Sequence, residues 1–240
     1  MKVIVIIPAA GLGTRMTSAP SAKGKKVPSK QFTELHGTPI LVHTLRRFAE
    51  CAEVSEIHVA LRKEEISGFR ARLDQEFKDL GKKVHLVEGG EHRQHSVANA
   101  LGAVKAAADD VILVHDAVRP LVTPEIIKDV IHATEKYGSA IAGLPAVDTI
   151  KQVERTSEGA VIKATVPRER VVMAQTPQGF RYQIIKKAFD AATADGFVGT
   201  DEASLVEHSG GDVMVVMGAP RNIKITNPAD LALAEFYLKG

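Results

Sequence analysis

The chain has 240 residues, of which 45% are hydrophobic and 25% are charged, which is typical of a globular protein with a sizeable core. Its 31 basic and 29 acidic residues leave a formal charge of +2. This near balance argues against a protein that binds duplex nucleic acid by neutralising its phosphates. The single cysteine, Cys51, excludes an intrachain disulfide, a cysteine-based zinc site and a CxxC redox pair. No apolar run approaches the roughly 20 residues of a membrane span. We therefore expect a cytoplasmic protein without nucleic-acid or membrane partners.

Short β-branched runs alternate with segments of helical periodicity in the first half of the chain. Strands are predicted at 2–8, 56–60, 83–87 and 111–115, and helices from Pro39, after Lys63, after Arg93 and from Pro124. This alternation is typical of βαβ units on a parallel sheet. Thr38, Thr123 and Asn227 each precede a proline and are predicted helix N-caps.

The pattern changes between residues 147 and about 175. Two strands joined by a polar turn are predicted here, with the sequences DTIKQVER, TSEG and AVIKATVPRER in chain order. This pattern indicates a hairpin inserted into the α/β fold. A two-stranded hairpin is unstable alone, and this one is charged on both strands. We expect it to pack against another surface, most simply a second copy of the chain.

The loop PAAGLGTRM, residues 8–16, directly follows an apolar strand. It is a weak match to a dinucleotide-binding loop, because Met16 stands where the third glycine belongs, and it lacks P-loop spacing. A glycine loop after a strand exposes backbone N–H groups to an anion, and Arg15 adds a guanidinium. The loop therefore predicts a triphosphate site. The alternative is a tight turn that uses glycine for its backbone conformation.

A basic stretch, SAPSAKGKKVPSKQF, follows at residues 18–32. Lys23, Lys25 and Lys26 fit a solvated face, as basic runs usually do. Lys30 differs because PSKQ indicates a shaped turn, which can fix an ammonium group. Lys30 is therefore predicted to be the second cation of the phosphate site.

The run VILVHDAVRP, residues 111–120, predicts a strand buried on both faces. His115 and Asp116 follow at its carboxyl end, the edge where open α/β sheets bind ligands. Asp116 is a predicted Mg²⁺ ligand, with a loop-capping role as the alternative. His115 is predicted to be structural, and Arg119 either orients a phosphate or supports the loop.

GGEHRQHSVANAL, residues 89–101, is a second glycine turn that enters a helix. Arg93 and Ser96 lie in or just before the first helical turn, where anions are attracted. The alternative is that Ser96 is only an N-cap. The chain has no GxSxG, HExxH or zinc-deaminase motif. Paired cations and a strand-end aspartate instead favour phosphoryl or nucleotidyl transfer.

With these residues in place, the sequence resembles the bacterial 2-C-methyl-D-erythritol 4-phosphate cytidylyltransferases of the non-mevalonate isoprenoid pathway. The matching blocks run in order along nearly the whole chain: PAAGLGTRM, PSKQF, GGEHRQHSV, HDAVRP, VDTIK, TVPRERVVMAQTPQGF, TDEASLVE, NIKIT and DLALAEFYL. One departure is the segment between Met16 and Lys30, which is longer and more basic than is usual in that family. The choice of Lys30 over Lys25 or Lys26 therefore rests on the PSKQF context.

The resemblance implies a three-layer, Rossmann-like α/β nucleotidyltransferase sheet with an inserted β-arm hairpin. It implies one domain over residues 1–240, with the arm at about 145–175 forming a homodimer. The implied reaction is attack of methylerythritol phosphate on the α-phosphorus of CTP, with Mg²⁺ present and pyrophosphate leaving.

The resemblance also implies roles for individual residues. Arg15 and Lys30 stabilise charge on the α-phosphate, while Arg168, acting across the dimer, and Lys224 position the attacking phosphate. The implied nucleotide-binding residues are Ala9, Ala10, Gly11, Gly13, Gly90, Arg93, Ser96 and Asp116. The implied acceptor-binding residues are Asp116, Arg119, Arg168, Thr176, Thr200 and Lys224. Asp116 is the implied metal ligand.

Two other functions stay open at this point. A ribitol-5-phosphate cytidylyltransferase shares the HDAVRP, VDTI and TPQ blocks, although PAAG and TVPR favour the methylerythritol acceptor. A nucleotide-binding protein without catalysis is also possible on the same fold. It is less favoured because every cation and Asp116 are present.

Overall fold

A central sheet flanked by helices forms the body of the molecule. The computed structural model describes residues 1–11, 29–81 and 83–239. Within them the strands are β1 Val3–Pro8, β2 Glu34–Leu35, β3 Thr38–Pro39, β4 Val54–Leu61, β5 Val84–Glu88, β6 Val111–Val114, β7 Ser139–Pro145, β8 Ile150–Thr156, β9 Gly159–Val166, β10 Val172–Arg181 and β11 Met214–Met217. The helices are α1 Ile40–Ala49, α2 Lys63–Gln75, α3 Arg93–Ala103, α4 Pro124–Tyr137, α5 Tyr182–Asp195, α6 Glu202–His208 and α7 Pro228–Lys239.

Seven of these strands form one sheet in the order β11-β7-β10-β6-β1-β4-β5. β1 is parallel to β4 and β6, β4 to β5, and β11 to β7, as the alternation of strands and helices predicts. β10 is antiparallel to its neighbours β6 and β7. The chain enters β10 from the arm instead of through a helical crossover, which a parallel neighbour would require. The sheet is therefore parallel except at β10.

Helices cover both faces of the sheet and give three layers. One core packs α1, α2 and α4 against the sheet, and the other packs α3, α5 and α6 against the opposite face. Because side chains alternate along a strand, β1 contributes Val5 and Ile7 to the first core and Ile4 and Ile6 to the second. The predicted three-layer α/β fold is confirmed.

Two of the three predicted N-caps are present. The Thr123 hydroxyl accepts the Ile126 N–H at the start of α4, and Asn227 Oδ1 accepts two N–H groups at the start of α7. The prediction for Thr38 is wrong, because Thr38 pairs with Leu35 in the short β2–β3 hairpin and α1 begins only at residue 40. None of the described helices is long and apolar enough to cross a membrane.

The inserted arm is a separate two-stranded hairpin. β8 and β9 pair antiparallel, with Thr156 opposite Gly159 at the tip, which confirms the predicted hairpin. The PRER segment is not part of the second strand, because Arg168–Arg170 forms a 3-10 turn before β10 enters the central sheet. Val153, Val161 and other apolar side chains of the arm are exposed in the single chain.

Candidate active site

A first pocket opens at the carboxyl ends of β1 and β6, the sheet edge that the sequence predicts to bind ligands. The end of β1, the turn that carries Lys30 and the start of α3 surround it. The predicted residues that line it are Ala9, Ala10, Gly11, Lys30, Gly90, Arg93, Ser96, Asp116 and Lys224. Gly13 and Arg15, also predicted here, lie outside the described residues.

Lys30 begins a 3-10 turn that a buried glutamine fixes to β1. The side chain of Gln31 is buried, and its Nε2 donates to the Ala9 carbonyl oxygen over 2.6 Å. This bond places the turn beside the backbone of the glycine loop. Lys30 therefore lines the pocket, whereas Lys25 and Lys26 lie outside the described residues.

A second set of contacts anchors the residue before Lys30. The Ser29 hydroxyl contacts both Arg62 Nη2 and Glu65 Oε1, and Arg62 Nη2 lies 2.5 Å from Glu65 Oε1. Arg62 and Glu65 lie at the start of α2. The PSKQ turn is therefore held between β1 and α2, as expected for a turn that fixes a cation.

The glycine turn before α3 approaches the first loop closely. A Cβ atom at Gly89 would lie 2.5 Å from Ala10 Cβ and 3.0 Å from Ser96 Oγ, so only glycine fits. Ser96 is buried, and its hydroxyl accepts the Gly90 N–H over 3.1 Å. The N-cap of α3 is His92, so the alternative that Ser96 is only an N-cap is wrong. Ser96 instead ties the glycine turn to the helix.

Three cationic groups surround the carboxylate of Asp116. Lys224 Nζ lies 2.8 Å from Oδ2, Arg93 Nε 3.3 Å from Oδ1, and Arg119 Nε 3.4 Å from Oδ2. Burial alone would raise the pKa of Asp116, but these cations lower it well below its usual range. The ionised carboxylate thus gathers three positive groups in one place, where a phosphate would be attracted.

Arg93 has a second carboxylate partner, Glu202, at the start of α6. Arg93 Nη1 lies 2.7 Å from Glu202 Oε1 and 2.8 Å from Oε2. Burial raises the pKa of Glu202, and Arg93 acts in the opposite direction. Burial alone would lower the pKa of Arg93, but Glu202 and Asp116 raise it. Arg93 is thus a charged guanidinium whose position is fixed by two carboxylates, Asp116 and Glu202.

His115 is fully buried behind Asp116 and is hydrogen-bonded at both ring nitrogens. Nε2 donates to the Arg119 carbonyl oxygen over 3.1 Å. Because a carbonyl only accepts, Nδ1 accepts from the Thr176 hydroxyl over 3.0 Å. The Thr176 oxygen also accepts the Asp116 N–H. Burial lowers the pKa of His115 to about 4, so a neutral ring braces Asp116 and is structural, as predicted.

A second pocket adjoins the first. Arg93, Asp116 and Lys224 line both pockets and form their shared wall. Of the predicted acceptor residues, Arg119, Thr176 and Thr200 also line the second pocket. Two ligands bound in the two pockets would therefore meet at one cluster of positive charge.

Arg168 lies at the base of the arm and is not among the described residues that line either pocket of its own chain. Its Nη1 donates to the Val147 carbonyl oxygen over 2.8 Å, and its side chain is mostly exposed. The predicted action of Arg168 on the site of a second subunit stays a prediction.

Several buried polar side chains hold the site in place and are not predicted from the sequence. Glu202 positions Arg93, and Gln31 positions the Lys30 turn. Asn222 Nδ2 donates to the Thr176 backbone carbonyl oxygen over 2.9 Å, and the backbone carbonyl oxygen of Asn222 accepts from Arg119 Nη1. Each lies within a motif block of the sequence, but nothing in the sequence distinguishes a buried polar group from a solvated one there.

Converging cations beside a glycine-rich strand end are what transfer of a nucleotidyl group requires, since that reaction depends on positioning and charge neutralisation. The fold and the site thus define a nucleotidyltransferase.

Comparison with known proteins identifies the family. The sequence profile described as 2-C-methyl-D-erythritol 4-phosphate cytidylyltransferase, IspD, matches residues 3–240. Proteins of that name from Acidobacterium capsulatum and Solibacter usitatus are 57% and 48% identical; the alignments cover 100% of this chain and 98% and 96% of the relatives. The chain therefore belongs to the 2-C-methyl-D-erythritol 4-phosphate cytidylyltransferase family and is a cytidylyltransferase, which confirms the predicted family and enzyme class.

Solved structures agree with this assignment. The 2-C-methyl-D-erythritol 4-phosphate cytidylyltransferase from Thermus thermophilus aligns with a TM-score of 0.78 and 33% identity, over 100% of both chains. The 4-diphosphocytidyl-2C-methyl-D-erythritol synthase from Anaerococcus prevotii gives a TM-score of 0.81 and 28% identity, over 100% of this chain and 99% of that chain. The fold described above is therefore the fold of this family.

Proposed function

We propose that the chain transfers CMP from CTP to 2-C-methyl-D-erythritol 4-phosphate, releasing pyrophosphate in isoprenoid precursor synthesis. Family membership supports this reaction. The structural observation that carries it is the wall shared by the two pockets, formed by Arg93, Asp116 and Lys224. A reaction that joins two phosphate-bearing substrates needs two adjoining sites with cations between them.

The first pocket is the proposed CTP site. The backbone of Ala9, Ala10 and Gly11 at the end of β1, together with Gly90, offers close approach to the nucleotide. Arg93 and Ser96 at the start of α3 complete this side. Lys30 is proposed to neutralise charge on the α-phosphate together with Arg15, a residue of the glycine loop that lies outside the described residues.

The second pocket is the proposed acceptor site. Lys224 and Arg119 supply positive charge to the acceptor phosphate, and Thr176 and Thr200 line the pocket around it. Arg168 of the partner subunit is proposed to reach the same phosphate. The exposed apolar side chains of the arm support a homodimer in which the arm is covered.

The proposed step is an in-line displacement at phosphorus. An oxygen of the acceptor phosphate forms a new bond to the α-phosphorus of CTP, and the bond from that phosphorus to the bridging oxygen of the β-phosphate breaks. The electron pair leaves with pyrophosphate, and no covalent intermediate with the protein is required. The protein contributes by holding the two phosphates in line and by neutralising the charge that develops.

We further propose that the divalent cation is Mg²⁺, bound with the triphosphate, and that Asp116 is its protein ligand. One carboxylate, with water and substrate phosphates as the other ligands, is typical of Mg²⁺ in proteins. Both Lys224 and Arg119 contact Asp116 Oδ2, so this oxygen would bind a metal only when these two cations turn toward the acceptor phosphate. When bound, the cation offsets charge on the triphosphate.

We propose one nucleotidyltransferase domain over residues 1–240, with the arm as its dimerisation insertion. A cytoplasmic location fits the dependence on CTP and the single cysteine.

Pyrophosphate release tests the proposed function directly. The protein is incubated with CTP and Mg²⁺ and with either methylerythritol phosphate or ribitol 5-phosphate. We expect turnover with the first acceptor only. Turnover with ribitol phosphate alone would contradict the proposal, and CTP binding without product from either acceptor would favour a binding protein without catalysis.

A further inference from the structure

Three potential metal ligands lie together on the sheet, away from the two pockets. Glu56 and His58 belong to β4, and His85 belongs to the edge strand β5. The parallel register places His58 directly beside His85. Glu56 and His85 lie nearer the amino ends of their strands and His58 lies mid-strand, whereas the pockets open at the carboxyl ends and none of the three residues lines them. The cluster is therefore separate from the proposed reaction site.

The geometry of the cluster brings its donor atoms close together. His58 Nε2 lies 3.1 Å from Glu56 Oε2, and the two imidazole rings stack with centroids 4.9 Å apart. One donor atom from each of the three residues lies within 4.8 Å of the others. Tetrahedral ligands at about 2.0–2.1 Å from zinc are roughly 3.3 Å apart, so only a small closure of the cluster is needed.

The described residues satisfy only one ring nitrogen of the buried histidine, because Nε2 is paired with Glu56. His58 is 5% exposed, and its Nδ1 has no hydrogen-bond partner among the described residues. His85 is exposed and can turn toward His58. Lys2 Nζ lies 3.5 Å from the other oxygen of Glu56, so Lys2 is the cation that a bound metal would displace.

We propose that Glu56, His58 and His85 bind a divalent transition metal of the zinc class. Two imidazoles and a carboxylate suit zinc, with a fourth position open to water, whereas Mg²⁺ prefers an all-oxygen shell. This ion is distinct from the cation proposed for the triphosphate. Its effect is to link the edge strand β5 to β4 and stabilise that side of the sheet.

The test measures Zn²⁺ binding by calorimetry on the full-length, untagged, chelator-treated protein in excess Mg²⁺. We expect one Zn²⁺ per chain, a rise in Tm with Zn²⁺, and an affinity at least about tenfold lower in the exposed-site variant His85→Ala. The matched control is His132→Ala, which replaces another exposed histidine and should bind Zn²⁺ like wild type.

Co²⁺ substitution gives a second readout that does not depend on catalysis. We expect the intense visible absorption of tetrahedral Co²⁺ in wild type and in His132→Ala, and its loss in His85→Ala and in Glu56→Gln. Equal Zn²⁺ affinity in wild type and His85→Ala, whether weak or strong, would overturn the proposal. Failure of cytidylyl transfer would not bear on this result, because the assay contains no substrate.

Discussion

Arg93 Nη1 lies within 2.8 Å of both carboxylate oxygens of Glu202, while Nε of the same guanidinium faces Asp116. Glu202 belongs to α6 and Arg93 to α3, so the pair joins two helices that are distant in sequence. The side chain of Glu202 is only 1% exposed. This buried carboxylate therefore sets the direction of the arginine at the junction of the two pockets.

The substitution Glu202→Gln keeps the shape of the side chain and removes its charge. We expect kcat/KM for CTP to fall by about tenfold to a hundredfold, because a hydrogen bond to a charged group contributes roughly 1.5–3 kcal/mol and Arg93 would lose its fixed direction. Steady-state kinetics check this. Glu207→Gln, an exposed glutamate of the same helix, is the control, and an unchanged kcat/KM in Glu202→Gln would show that the pair does not position Arg93.

Lys30→Ala removes an ammonium group that is proposed to act on the α-phosphate. We expect kcat to fall by about a hundredfold to a thousandfold, the usual loss for a donor aimed at transition-state charge, with little change in the free energy of unfolding. Lys128→Ala, an exposed lysine on α4, should keep full activity. Full activity in Lys30→Ala, with activity lost in Lys26→Ala, would assign the role to the other lysine.

Mixed dimers test the action of Arg168 across the subunit interface. Arg168→Ala and Lys30→Ala homodimers should each be nearly inactive. A dimer with one subunit of each kind has one site with both intact groups if Arg168 acts in trans, so co-refolded mixtures should regain activity. The two variants are mixed in equal amounts, and mass spectrometry verifies that heterodimers form. If the mixture then regains no activity, Arg168 would have to act within its own chain.

His115 predicts a pH dependence of stability. Burial lowers the pKa of His115 from 6.5 to about 4 in the native state. As the pH falls from 6.5 to 4, the unfolded chain therefore binds a proton at this residue that the native state does not bind. The native state should therefore lose roughly 3 kcal/mol between about pH 6.5 and 4 from this group. Urea unfolding of wild type and His115→Gln should show a shallower pH dependence in the variant.

An NMR titration of the His115 ring checks the same point in the wild type and does not require the variant to fold. His132→Ala serves as the control in the unfolding series and should keep the wild-type pH dependence. A ring that titrates near pH 6.5 in the native protein would contradict the buried, neutral histidine.

The sequence predicts the fold well where local patterns and tertiary contacts agree. The β-branched run of β1 is buried on both faces, and Thr123 caps α4 as its proline predicts. Thr38 shows the limit of a local rule, since the same Thr-Pro signal is overridden by pairing in the β2–β3 hairpin. The antiparallel direction of β10 depends on how the arm returns to the sheet, which periodicity does not encode.

The candidate site shows the same division. Lys30 and Asp116 could be predicted because one lies in a shaped turn and the other at a strand end, whereas Lys224 is implied only by the family resemblance. Glu202 and Gln31 could not, because their importance depends on burial against groups far away in sequence. Sequence patterns thus predict the charged groups that face the pockets, and the structure adds the polar groups that orient them.

The acceptor phosphate is proposed to attack the α-phosphorus of CTP at the wall between the two pockets. ³¹P NMR of the product made from acceptor with ¹⁸O in its phosphate group tests this most directly. We expect a cytidine diphosphate-linked product whose bridging oxygen carries the label, with unlabelled pyrophosphate released. A labelled acceptor that remains a phosphate monoester, while CTP is hydrolysed or left intact, would contradict it.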